Sequence, residues 1–109
     1  GDGQHIWAAA DWLMMMRNLF VREESGTLIL GAGLNPRWLA RDEVRFGPTL
    51  TSRGALTVRF AWRREGVQIT LDAAWRGGAP AREIRVPGCT PLAIAAGDDT
   101  DDFMVPFQQ

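Results

Sequence analysis

The chain changes its hydrophobic period once, near residue 22. From Gln4 to about Val21 no proline or glycine interrupts a run rich in alanine, leucine and methionine, which predicts a helix. Asp2 is placed to cap it. Ile6, Trp7, Ala9, Ala10, Trp12, Leu13, Met14, Met16, Leu19, Phe20 and Val21 cover most of the cylinder. Only a narrow stripe of Gln4, Ala8, Asp11, Met15, Asn18 and Arg22 remains for water, and it too contains a methionine. A helix apolar on nearly all sides expects to be buried on several of them. The sequence therefore predicts a docking face that includes Trp7, Trp12 and Met15.

Beyond the polar turn expected at Arg22–Gly26, the pattern becomes that of strands. Thr27–Leu30 is short and apolar, and Gly31-Ala32-Gly33 ends it. Asn35-Pro36-Arg37-Trp38-Leu39 predicts one helical turn, with Asn35 capping and Pro36 in the first position. Glu43–Phe46 predicts a strand with Val44 and Phe46 on one face. The clearest signal follows. Leu56, Val58, Phe60 and Trp62 alternate with Thr57, Arg59, Ala61 and Arg63; Val67, Ile69, Leu71, Ala73 and Trp75 alternate with Gln68, Thr70, Asp72 and Ala74. Two period-two runs joined at Arg64-Glu65-Gly66 predict an antiparallel hairpin with one buried face. Glu83–Val86, Leu92–Ala95 and Phe103–Phe107 complete the set. The expectation is a mainly β chain: an antiparallel β-sandwich of about seven short strands preceded by one N-terminal α-helix. The boundary falls between 1–22, the helix, and 23–109, the sandwich.

Composition narrows the function classes. The chain has 109 residues, 46% hydrophobic and 23% charged, the profile of one folded domain. A net charge of −1 recommends neither nucleic acid nor an anionic membrane as a partner. The longest apolar stretch, Ile6–Met16, contains Asp11 and falls well short of the ~20 residues that span a bilayer. No basic region precedes it, so it does not read as a signal peptide. The start at Gly1, with no initiator methionine, reads as a cut from something longer. All twelve basic residues are arginine, spread from Arg17 to Arg85 as a coding bias would leave them.

The candidate chemistry is thin. One cysteine, Cys89, and one histidine, His5, exclude an intrachain disulfide and a Cys/His zinc site within one chain. Gly31-Ala32-Gly33 lacks the third glycine and following helix of a dinucleotide fingerprint, and no cofactor is expected. Asp98-Asp99-Thr100-Asp101-Asp102 is rich in oxygen ligands but lacks calcium-loop spacing, so a solvated turn is the expectation. Glu23 and Glu24 are adjacent and diverge, unlike the facing carboxyls of a glycosidase. Cys89 has no nearby base in the sequence and reads as an inert thiol. Trp62 and Trp75 share their faces with core residues, which leaves Trp38 as the candidate for stacking on a sugar ring. His5, at the start of the helix, is a pocket candidate.

Several segments together resemble a known arrangement. They are Gly1-Asp2-Gly3-Gln4-His5 running into Trp7–Leu13, then Arg17–Glu23, Leu28-Ile29-Leu30, Pro36-Arg37-Trp38-Leu39, Thr51–Thr57, Ile84-Arg85-Val86-Pro87 and Ala93-Ile94-Ala95 up to Gly97-Asp98. In this order the chain resembles the C-terminal end of bacterial proteins of the six-hairpin glycosidase type, where a small β-sandwich follows an (α/α) barrel. Thr51–Thr57 resembles a Thr-x-aromatic-Gly-x-Leu-Ser segment of that family, with Arg53 standing where the family usually has Phe or Tyr. The resemblance implies that the helix is the last of the barrel and that the catalytic carboxylates lie upstream of Gly1. It implies no catalytic, cofactor or metal residue here. It also places the Asp2–His5 loop toward the barrel pocket.

The expected function is therefore a non-catalytic accessory domain of a glycoside hydrolase, packed against a catalytic barrel and stabilising it. Two alternatives stand beside it. One is a carbohydrate-binding module using Trp38, and the other is a small domain that self-associates through the helix.

Overall fold

The computed structural model describes residues 15–34 and 43–108. Residues 15–20 are helical, and eight strands follow: β1 (Val21–Glu24), β2 (Thr27–Leu30), β3 (Glu43–Thr51), β4 (Gly54–Trp62), β5 (Gly66–Ala73), β6 (Ala81–Ile84), β7 (Leu92–Ile94) and β8 (Asp102–Pro106). They form two four-stranded sheets, ordered β1-β2-β6-β7 and β3-β4-β5-β8. The mainly β, two-sheet architecture predicted from the alternation is the one observed.

The core lies between the sheets. Leu56, Val58, Phe60, Val67, Ile69 and Leu71 from β4 and β5 meet Val21, Leu28, Leu30, Ile84 and Ile94 from the other sheet. The register explains why the hairpin pattern was so regular. Val58 pairs with Leu71 and Phe60 with Ile69, so each inward residue faces another. Trp62, Trp75 and Ala73 are partly buried against this core, as their parity predicts.

Four features differ from the sequence reading. The helix stops at residue 20, and Arg22–Glu24 is not a turn but most of β1, paired antiparallel with β2 (Val21 with Leu30, Glu24 with Thr27). The turn is only Ser25-Gly26. β3 does not end at Phe46 but continues through a bulge at Gly47-Pro48 to Thr51. β6 begins at Ala81 rather than Glu83, because Arg82 occupies an inward position that its charge had disguised. Finally, one pairing is parallel: β2 runs alongside β6, with Thr27 opposite Ala81 and Leu30 opposite Ile84. The connection between them passes through β3, β4 and β5 in the other sheet, so β2 and β6 can lie in the same direction without a helix between them.

The helical turn is fastened to this frame. Phe20 stacks on Phe46 of β3, with centroids 4.6 Å apart and planes 5° from parallel. Met16 and Leu19 also pack against the core. The Gly31 N–H donates to the Phe20 carbonyl at 2.9 Å and the Gly33 N–H to the Leu19 carbonyl at 3.1 Å. Gly33 comes so close to the helix that an added Cβ would stand 2.8 Å from the Leu19 Cα. The glycine loop is thus a seat for the helix end.

Candidate functional site

The helix end and its surroundings form the first candidate. Arg17 and Met15 are both on the helical turn, and their exposures invert the usual order. Met15 is 69% exposed, whereas the Arg17 side chain is only 16% exposed. Arg17 turns back toward the sandwich, where Nη2 donates to the Leu50 carbonyl at 3.1 Å and to Glu23 Oε2 at 3.0 Å. The other Glu23 oxygen, Oε1, accepts the Ser52 N–H at 2.8 Å. One carboxylate on β1 therefore ties the helix to the β3–β4 turn in the opposite sheet. Hydrogen bonds from Ser52, then Arg17, hold the Glu23 carboxyl below its ordinary pKa. Leu50, beside this clasp, is 70% exposed.

The β3–β4 turn is braced on its other side as well. Thr51 Oγ1 donates to the Gly54 carbonyl and accepts the Arg53 N–H. Arg53 donates to the carbonyls of Arg76, Gly77 and Gly78 at 2.8–3.1 Å. The residue that departs from the family resemblance is thus the one that staples this turn to the loop after β5.

A second cluster was missed at the sequence level. Arg82 is 1% exposed and points inward from β6, in register with Leu28 and Ile94. Its guanidinium lies 5.9 Å from the Trp75 ring centroid and 5.6 Å from that of Phe103. It donates to the carbonyls of Pro80 (3.3 Å), Thr100 (2.8 Å) and Asp98. Burial pushes its pKa down, and the carboxylates of Asp98, Asp101 and Asp99 pull it back up. The signal was present: Arg82, Ile84 and Val86 share one parity, which places Arg82 on the core side.

This arginine reorganises the acidic turn. Its backbone oxygens at 98 and 100 face Arg82. Asp98 Oδ1 accepts from both the Thr100 hydroxyl (2.6 Å) and N–H (3.0 Å), which holds the Asp98 carboxyl below its ordinary pKa. Among the described residues, no group of three Asp, Glu, His or Cys is arranged to hold a metal ion. Burial raises the pKa of the Cys89 thiol, the direction expected of an unreactive group.

Of the residues singled out earlier, Met15 is exposed on the helical turn; His5, Trp7, Trp12 and Trp38 lie outside the described residues. Glu23 and Glu24 diverge as adjacent strand residues must, Glu23 to Arg17 and Ser52, and Glu24 to Arg22 at 3.0 Å. No family model, curated protein or solved structure matches the chain.

Proposed function

We propose that the chain is a non-catalytic accessory β-sandwich domain of a glycoside hydrolase-type protein, docked through its helix against the helices of a catalytic barrel. The observation that carries this reading is the inverted helix surface. A helix facing water turns its charges outward. Here the arginine is folded back onto Leu50 and Glu23, and the methionine faces out. Upstream, the sequence from Ile6 to Leu13 is apolar apart from Asp11. An adjoining helix is the occupant that such a surface suits, because methionine packs adaptably against irregular helical neighbours. The resemblance of the segments from Gly1 to Asp98 to the end of a six-hairpin glycosidase supports the same partner.

Light scattering on the chain and on Met15→Glu tests the proposal. The wild type should self-associate as concentration rises, and the variant should be a monomer of unchanged melting temperature. The separately expressed barrel should convert the wild type to a one-to-one complex and leave the variant free. A wild type that stays monomeric and ignores the barrel overturns the reading. A self-dimer that the barrel does not dissociate overturns it too, and assigns the face to a second copy.

A further inference from the structure

The outer face of the β3-β4-β5-β8 sheet carries a polar groove that neither the core nor the helix explains. Arg45 on β3 lies directly opposite Arg59 on β4. Like charges facing across a strand pair destabilise it. Glu43 answers Arg59 at 3.0 Å, but among the described residues no carboxylate lies within ion-pair distance of Arg45. The two arginines, with Thr57, Thr70 and Asp72, line a recess of about 40 Å³. Gly47 lets the β3 bulge lie close against β4: an added Cβ would be 2.8 Å from the Thr57 Cα, and its φ of +123° is one that side chains rarely adopt.

A second hollow of about 190 Å³ adjoins it, sharing Thr57 and Asp72 and walled by Pro48, Ala55 and Ala74. Side by side, the two hollows present two guanidinium groups, hydroxyls with a carboxylate, and an apolar end. Each part selects a chemistry. Guanidinium pairs match a carboxylate. Threonine hydroxyls and Asp72 match hydroxyl groups, which both donate and accept. Proline and alanine match a C–H face.

We propose that this groove binds a small hydroxylated carboxylic acid of the sugar-acid type, its carboxylate between Arg45 and Arg59 and its hydroxyls at Thr57, Thr70 and Asp72. The proposal does not depend on the docking role of the helix, which involves other residues.

The test is an NMR titration of the whole chain with D-glucuronate, using D-glucose and acetate as probes that each lack one half of the chemistry. Glucuronate should shift the Thr57 and Thr70 amides, and glucose and acetate should each bind about tenfold more weakly or less, the size of one charge-assisted hydrogen bond. Arg45→Gln should weaken glucuronate about tenfold, with a melting temperature equal to or above wild type because the facing charges are relieved. Thr70→Val keeps both cations and should erase the advantage of glucuronate over acetate. The absence of glucuronate shifts overturns the proposal, as does equal binding of glucose or an unaffected Arg45→Gln. Acetate binding as tightly as glucuronate overturns the hydroxylated part and leaves a bare carboxylate site.

Discussion

The guanidinium carbon of Arg82 lies over the indole of Trp75, 5.9 Å from the ring centroid. The pairing makes a buried cation tolerable, together with Phe103 on its other contact and the three carbonyls it serves. Arg82→Met keeps the volume but leaves the carbonyls of Asp98 and Thr100 without their donor. It should cost about 2–4 kcal/mol in urea unfolding. Arg82→Lys should recover little, since one ammonium cannot span the fork. A loss below about 0.5 kcal/mol for either would mean that the loop is held by something else.

The Glu23 clasp makes a prediction in pH. Its folded pKa lies below the ordinary 4.5 through Ser52 and Arg17, so its contribution is present above the unfolded value and lost as pH falls through the folded one. The stability gap between wild type and Glu23→Gln should therefore be constant at neutral pH and close under acid conditions. Because the Glu23 side chain is partly open to solvent, the neutral-pH gap should be about 1 kcal/mol or less. A gap that widens in acid contradicts the assigned clasp.

Trp62 sets two effects against each other. Its Nε1 is buried with no hydrogen-bond partner among the described residues. Trp62→Phe removes that orphaned donor and keeps an aromatic ring 6.5 Å from Phe60. The lost area and the relieved donor oppose each other, so thermal unfolding should show a change within about 1 kcal/mol. Trp62→Ala, which loses the ring as well, should cost about 3 kcal/mol or more.

Cys89 is 5% exposed, and its thiol pKa is raised by burial. Iodoacetamide should therefore label it slowly under native conditions. The rate should rise in parallel with unfolding as urea is added. Fast labelling of the folded chain would mean that the segment from Val86 to Cys89 opens locally.

The legible part of this fold is the part with strict alternation. β4 and β5 could be placed almost to the residue because every inward position from Leu56 to Leu71 is apolar. β1 was hidden because Arg22-Glu23-Glu24 is too charged to look like a strand; as an edge strand it needs only Val21 inward, and its charges find partners around it. The length of β3 was hidden by Gly47-Pro48, which reads as a break but forms a bulge. At the candidate site, the exposure of Met15 was legible from its place on the narrow stripe left for water. The Arg17–Glu23–Ser52 clasp was not, because local spacing carries no information about a contact across two sheets.

The parallel pairing of β2 with β6 sets an order of assembly. β2 is made before β3, yet its second neighbour emerges only after the whole β3–β5 meander has been synthesised. Until then Leu28-Ile29-Leu30 has one satisfied edge, toward β1, and one open edge rich in apolar side chains. The meander, whose contacts are local, can form first and offer its inner face as a template. A nascent chain stalled before Ala81 would consequently carry an adhesive strand with nothing to pair it. The last third of the sequence, through β6, thus closes the edge that β2 would otherwise leave open.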